Sequence, residues 1–170
     1  MNKELSNIIK NLSGNVLGIG IDDKLSDLIN KNANIKECNL LNSFSRKKLK
    51  GKKTRKTIKI KKIRKVFKKK KVDYIICDYE EIEKYLNSFV KDSIYINKSK
   101  LYFFGNINKE ILIKKYNRYD TKVIIKEYKN SLIVEIDNSS AKTNFFKDRY
   151  YMLIDWFSKA IEVIGDILMG

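Results

Sequence analysis

Short apolar runs of strand length alternate with segments of helical periodicity along most of this 170-residue chain. The apolar run 15–21 is followed by apolar residues at helical spacing, and the near-continuous run 72–79 is followed in the same way. Parallel neighbours in a sheet need a crossover connection, usually a helix, and strands buried on both faces are apolar throughout. The alternation therefore predicts an α/β fold, in which a mostly parallel sheet carries helices on both faces.

Apolar runs, helical periodicity and capping residues also predict the remaining elements. Gly14 is a suitable C-cap for an N-terminal helix over 1–13, and Asp22 is a suitable N-cap for the helix after the first strand. The segment 57–61 alternates Ile with Lys, which is typical of an edge strand. Further strands are predicted at Ile35–Leu41 and 101–105, and further helices at 63–67, 82–90 and 107–116.

The pattern changes after the last of these helices. Two extended runs, Lys122–Tyr128 and Ser131–Asp137, are separated only by Lys129 and Asn130. Such a short connection predicts an antiparallel hairpin at the end of the sheet.

The C-terminal segment 143–169 predicts one long helix that is apolar around most of its circumference. Its polar residues form a single narrow stripe: Asp155, Lys159, Glu162 and Asp166. A helix of this kind either buries its whole apolar surface inside the domain, or packs on the sheet and also meets a second copy in a homodimer. Length and apolar content predict one domain over 1–170, with its core at 14–138 and the C-terminal helix within 139–170.

Composition excludes several kinds of chemistry. The chain contains no histidine, which rules out a Ser-His-Asp triad, a Cys-His pair and a histidine-rich zinc site. Its two cysteines, Cys38 and Cys77, fall in predicted buried strands, so we expect small core residues rather than nucleophiles. Too few cysteines for a disulfide framework, no signal-like N-terminus and no uninterrupted apolar span together predict a cytoplasmic protein without a transmembrane segment or a metal site.

Positive charge is concentrated in one segment. Residues 46–71 hold 17 of the 37 Lys and Arg residues and no Asp or Glu, which leaves 20 basic residues against 20 acidic ones elsewhere. Clustered cations of this kind favour phosphate polyanions, so the segment predicts a nucleic-acid site of low sequence specificity. A solvated surface and an anionic membrane or ribosomal surface are the alternatives. The expected contacts are Arg46, Lys47, Lys48, Lys50, Lys52, Lys53, Arg55 and Lys56.

Two motifs occupy the ends of predicted strands. The first strand runs into Val16-Leu17-Gly18-Ile19-Gly20-Ile21-Asp22, and the central strand ends in Ile75-Ile76-Cys77-Asp78-Tyr79. In this order of elements, residues 15–137 resemble the class I S-adenosylmethionine-dependent methyltransferases, which have a Rossmann-like sheet. The resemblance implies S-adenosylmethionine as cofactor, bound by Gly18, Gly20, Asp22 and Glu37 (with Asn39 as the alternative to Glu37), and a substrate-facing pair at Asp78 and Tyr79. Asp78 would accept a proton or hydrogen bond, and Tyr79 would stack on a base.

The cofactor loop departs from the family pattern. Gly18 stands where the family has an acidic residue, and Asp22 and Lys24 stand where it has further glycines. A glycine turn between strand and helix is also needed sterically where nothing binds, and Asp78 is equally suited to cap the next helix. Two functions therefore remain open: a degenerate methyltransferase-like domain that binds nucleic acid without cofactor, and an active methyltransferase acting on RNA or DNA.

Overall fold

The computed structural model describes residues 3–41, 63–128, 131–141 and 145–169. Its helices are α1 Lys3–Lys10, α2 Asp23–Lys31, α3 Ile63–Val66, α4 Tyr79–Ile82, α5 Leu86–Ile96, α6 Lys109–Asn117 and α7 Phe145–Met169. A 3-10 turn, Glu83–Tyr85, joins α4 to α5. The strands are β1 Gly14–Ile19, β2 Ile35–Leu41, β3 Val72–Asp78, β4 Asn97–Phe104, β5 Lys122–Tyr128 and β6 Ser131–Asp137.

The strands form one six-stranded sheet in the order β2-β1-β3-β4-β6-β5. The first four strands in this order are parallel, and β6 is antiparallel to both of its neighbours. The predicted α/β class, with a mostly parallel Rossmann-like sheet and an antiparallel hairpin, is confirmed. The hairpin strand β6 pairs with β4, and β5 is the edge strand, so the hairpin lies at the end of the sheet.

Alternate residues of each central strand enter two separate apolar cores. Leu17, Ile75 and Phe103 contribute to the larger core, which is covered by α3, α5 and α6. Val16 and Ile76 point to the other face and pack with residues of α1 and α2. Helices therefore cover both faces, as the apolar strands predict.

Several element boundaries differ from those expected. β1 ends at Ile19 rather than at residue 21, because Gly20 adopts φ 66° and turns the chain toward α2. β4 begins at Asn97 rather than at residue 101, although its first residues are polar. The Asn97 side-chain amide donates to the backbone carbonyls of Asp73 at 3.1 Å and Lys100 at 3.2 Å, which ties this polar segment to β3.

Two further predictions, the edge strand at 57–61 and the hairpin turn at Lys129 and Asn130, lie outside the described residues. Among the described residues, no helix has the length and apolar content that a bilayer crossing requires.

Candidate functional site

Three chain segments meet at the carboxyl edge of the parallel strands. Gly20 follows β1 with φ 66°, Asp78 is the last residue of β3, and Gly105 follows β4 with φ 95°. In the sheet register, Ile19 pairs with Cys77 and Asp78 pairs with Phe104. Asp78 therefore lies between the two glycine turns, at the edge where open α/β sheets place their ligands.

Asp78 and Glu81 fill the space beside these glycines. A Cβ atom added at Gly20 would lie 2.6 Å from the Asp78 Cβ and 2.7 Å from the Glu81 Cγ. One added at Gly105 would lie 2.7 Å from Asp78 Oδ1. Glycine is thus required at both positions by the packing of the chain's own side chains, in addition to the left-handed backbone.

The Asp78 carboxylate has a structural partner in α4. Its Oδ1 accepts a hydrogen bond from the backbone N–H of Glu80 at 3.1 Å, so Asp78 is the N-cap of α4. The capping alternative is confirmed. Burial raises the pKa of Asp78 above its ordinary value, the hydrogen bond from Glu80 opposes this, and the charges of Glu80 and Glu81 raise the pKa further.

Tyr79 does not lie on the surface. Its side chain is 1% exposed and belongs to the larger apolar core, and burial raises the pKa of its hydroxyl. Stacking of Tyr79 on a base stays a prediction and would require the ring to leave this core.

The two cysteines lie where the sequence indicates. Cys38 and Cys77 are both buried, and burial, followed by the charges of Asp78 and Glu81, raises the pKa of the Cys77 thiol well above its ordinary value. The prediction that they are core residues is confirmed. A thiol with such a pKa is a poor nucleophile.

Gly18 and Asp22 also have local structural roles. A Cβ at Gly18 would lie 2.7 Å from the Ile21 Cγ1 and 2.8 Å from the Leu40 Cδ2, so this glycine allows close packing of β1 with its neighbours. Asp22 is the N-cap of α2, since its Oδ1 accepts the Leu25 N–H at 2.7 Å. This predicted cap is confirmed, and with Asp23 it gives the helix N-terminus two exposed carboxylates.

Glu37 is not brought to this edge. It lies in β2 opposite Asn15, near the amino ends of the strands, whereas Leu41 is the β2 residue opposite Ile19. Glu37 accepts a hydrogen bond from the Asn39 Nδ2 at 3.0 Å and lines a cavity of about 210 Å³ with Asn15. Glu37 is thus at the wrong end of β2 for a ribose contact beside Gly20, and its alternative Asn39, opposite Leu17, lies two positions before the end of the strand. The sequence pattern of residues 35–41 predicts strand β2, but it does not determine which residue of β2 lies beside Gly20.

The basic segment is described only from residue 63 onward. Ile63 and Phe67 anchor α3 in the larger core. The cations that follow, Lys68, Lys69 and Lys71, are exposed just before β3 begins. They therefore lie at the amino edge of the sheet, roughly 20 Å from Asp78 along a seven-residue strand. The predicted contacts Arg46, Lys47, Lys48, Lys50, Lys52, Lys53, Arg55 and Lys56 all lie outside the described residues.

The four cavities found among the described residues lie away from Gly18, Gly20 and Asp78. Their volumes are about 480, 210, 780 and 630 Å³, and none of these four is lined by any of the three residues. Nor do the described residues include a group of three His, Cys, Asp or Glu side chains placed to hold a metal ion.

Sequence reasoning missed Glu81 and Gly105 as members of this cluster. Gly105 was visible only as the end of an apolar strand, and Glu81 only as an acid in the first turn of a helix. Their contacts with Gly20 and Asp78 join distant parts of the chain, for which the sequence carries no local signal.

Substituting Gly20 with alanine should destabilise the fold. A left-handed φ costs a non-glycine residue about 1–2 kcal/mol, and contact of the new methyl with Asp78 and Glu81 adds to this. Urea unfolding followed by circular dichroism measures the change, with exposed Lys24→Ala as the control expected to change stability by less than about 0.5 kcal/mol. Unchanged stability of Gly20→Ala would contradict both the left-handed backbone and the close packing at Gly20.

Replacing Asp78 with asparagine should raise stability at neutral pH. The amide still caps α4, but it removes a charge that is partly desolvated and repelled by Glu80 and Glu81. Because the native pKa of Asp78 is raised, the penalty in the wild type grows as pH rises above about 3.8 and vanishes below it. The stability difference from urea unfolding should therefore shrink on acidification. The control variant Asp23→Asn, in the first turn of α2, should not raise the stability at neutral pH. A destabilised Asp78→Asn at pH 7 would contradict this account.

The fold, though not the sequence, has relatives among known proteins. No protein-family model and no curated protein matches the chain. Sp1610 of Streptococcus pneumoniae, described as "a putative tRNA (m1A22) methyltransferase" and solved with S-adenosyl-L-methionine, superposes with a TM-score of 0.57 at 13% identity, over 98% of this chain and 91% of Sp1610. TrmK of M. capricolum, solved with S-adenosyl-homocysteine, gives a TM-score of 0.54 at 12% identity, over 99% and 87% of the two chains.

A third solved structure matches a smaller share of its own chain. Spermidine synthase of Thermotoga maritima gives a TM-score of 0.54 at 13% identity over 79% of this chain, which spans 56% of the synthase. Identities this low establish the fold alone. The resemblance drawn from the order of elements is confirmed: the chain has the Rossmann-like fold of the class I S-adenosylmethionine-dependent methyltransferases.

Proposed function

We propose that this chain is a degenerate methyltransferase-like domain that binds nucleic acid, through its lysine-rich segment 46–71, and does not use a cofactor. The observation that carries the proposal is the packing of Asp78 and Glu81 against Gly20. The resemblance to the methyltransferases implies that a glycine at this position lets the cofactor approach the backbone closely. Here the chain's own side chains take that space.

The residues at the carboxyl edge fit S-adenosylmethionine poorly. Gly18 is packed against Ile21 and Leu40, and Glu37 lies at the other end of β2. Asp22 already uses its carboxylate to cap α2. Of the four predicted cofactor contacts, Gly18, Gly20 and Asp22 lie in one short segment, and each of the three has structural partners within the chain.

The charge distribution supports a polyanion as the ligand. The segment 46–71 carries all of the net charge of +17, since the remaining 20 basic residues are balanced by 20 acidic ones. The described cations Lys68, Lys69 and Lys71 are exposed. They are separated from Asp78 by the length of β3, which suits a surface that holds a phosphate backbone better than one that delivers a base to Asp78.

RNA is the class of nucleic acid that we favour. Sp1610, which aligns with nearly the whole of this chain, is described with tRNA as its substrate. The two buried cysteines suit a reducing compartment such as the cytoplasm.

An active methyltransferase acting on RNA or DNA is the second candidate. It is favoured by Asp78, whose pKa is raised at the end of the central strand, because perturbed carboxyls of this kind are frequent in active sites. It is also favoured by the neighbours Sp1610 and TrmK, which were solved with S-adenosylmethionine or its product. Catalytic roles for Asp78 and Tyr79 belong to this candidate.

Neutralising part of the basic segment should weaken RNA binding. In the variant Lys47→Gln/Lys48→Gln/Lys52→Gln/Lys53→Gln, affinity for unfractionated tRNA should fall at low salt, and the slope of log affinity against log salt should flatten by about three if all four contact phosphate. Wild type itself should lose on the order of a thousandfold in affinity between about 50 and 200 mM salt. Fluorescence anisotropy over a salt series measures both quantities.

A matched control removes the same charge elsewhere. Lys3, Lys10, Lys31 and Lys36 are exposed and lie outside the segment. Their fourfold replacement by glutamine lowers the net charge equally, so it should alter the salt slope much less. Equal effects of the two variants, or no binding by wild type at low salt, would show that the segment only solvates the surface. A DNA duplex of similar charge tests the preference for RNA.

A further inference from the structure

The polar side of α7 faces the body of its own domain. Asp148 is 3% exposed and pairs with Lys91 at 3.4 Å between Oδ2 and Nζ. Asp155 binds two cations of the α6 region through its Oδ1, the Lys115 Nζ at 2.5 Å and the Arg118 Nη1 at 2.9 Å. These ion pairs hold this side of the helix against the domain.

Tyr151 completes the inner side of the helix. Its ring lies 5.9 Å from that of Tyr119, and the Arg118 guanidinium carbon lies 4.9 Å from its centroid. Asp148, Tyr151 and Asp155 follow one another at helical spacing, so they share one face. The orientation of α7 about its axis is thereby fixed.

The opposite side of α7 is a broad exposed apolar face. Five of its residues lie roughly half a turn of the helix away from Asp148 and Asp155, whereas Met152, Trp156 and Val163 lie at its margin, within a quarter turn of Asp148. Between 55% and 69% of each of the following side chains is exposed: Tyr150, Met152, Leu153, Trp156, Phe157, Ile161, Val163 and Ile164. The alternative in which the helix buries its whole apolar surface inside the domain is therefore wrong.

The exposed face carries a pattern suited to pairing with another helix. Tyr150, Phe157 and Ile164 are spaced by seven residues, and Leu153 and Ala160 stand at the intermediate positions. This is the a/d spacing of a two-helix seam, in which apolar side chains of one helix enter holes on the other. Trp156 and Val163, also seven residues apart, flank the seam.

We propose that this face of α7 pairs with α7 of a second copy of the chain, in a two-fold symmetric homodimer. A two-fold interface uses the same patch on both subunits, so one self-complementary apolar seam is sufficient. Eight large apolar side chains at about 60% exposure present on the order of 800 Å², which is close to the area that each partner contributes to a standard interface. The proposal does not rest on the proposed function.

Charge favours a second copy over an anionic membrane. The 25 residues of α7 include four acidic and three basic residues, so this helix has none of the positive excess of the chain. Two such helices meet without like-charge repulsion from that excess. Helices that lie on membranes carry Lys and Arg along the polar face, whereas here that face presents Asp148 and Asp155, already paired with the domain.

The segment 42–62, outside the described residues, is a poor apolar counterpart for this face. It contains four large apolar residues, Phe44, Leu49, Ile58 and Ile60, among many Lys and Arg residues. The eight exposed side chains of α7 need a partner with a comparable apolar area, which a second α7 supplies.

The test is sedimentation of the full chain over a range of concentrations. Wild type should dimerise, and Phe157→Glu should raise the dimer dissociation constant at least about 100-fold, because each dimer would bury two unpaired carboxylates. The matched control Ser158→Glu places the same charge on the neighbouring exposed residue, which lies about 100° around α7 from Phe157 and off the seam, and it should leave the dimer intact. Equal thermal unfolding midpoints of the diluted proteins show that the variants still fold.

Each of three results would overturn the proposal. The first is a wild type that sediments as a monomer at the highest concentration attainable, and the second is a dimer that Phe157→Glu leaves unchanged. The third is a monomeric wild type that binds vesicles of phosphatidylglycerol and phosphatidylethanolamine, with Phe157→Glu abolishing the binding. That outcome would assign the face to a lipid surface.

Discussion

The position of Asp78 between two glycine turns is the constraint on which the carboxyl edge depends. Its side chain fills the space beside both Gly20 and Gly105 while its Oδ1 caps α4. One residue thus ties together the ends of β1, β3 and β4 and the start of the helix that follows. Under the proposed function, the same packing would leave no room for a cofactor beside Gly20.

Among the described residues, exposed acidic and basic side chains lie at opposite edges of the sheet. Asp22, Asp23 and Glu80 are exposed at the carboxyl edge, and Lys68, Lys69 and Lys71 are exposed at the amino edge. A phosphate backbone bound by these three lysines would lie roughly a strand length from Asp78. The third surface, the outer face of α7, is apolar and separate from both.

Local patterns in the sequence predicted most elements, because the strands are apolar enough to be read residue by residue. β2, β5 and β6 have the predicted bounds, and the caps at Asp22 and Asp78 were visible as short polar side chains before helices. The features that the sequence did not predict depend on contacts between distant parts of the chain. The register that puts Glu37 opposite Asn15 depends on the partner strand, and the burial of Tyr79 depends on helices far along the chain. The outward turn of the apolar side of α7 depends on Lys91, Lys115 and Arg118, which no pattern within α7 reveals.

Calorimetric titration with S-adenosylmethionine and S-adenosyl-homocysteine tests the central claim most directly. With Asp78 and Glu81 against Gly20, we predict no saturable heat and no thermal shift at ligand concentrations up to about 1 mM, which bounds the binding free energy at about −4 kcal/mol. One-to-one binding of either ligand with a dissociation constant well below this, accompanied by a concentration-dependent rise in the unfolding temperature, would contradict the account and favour the active methyltransferase.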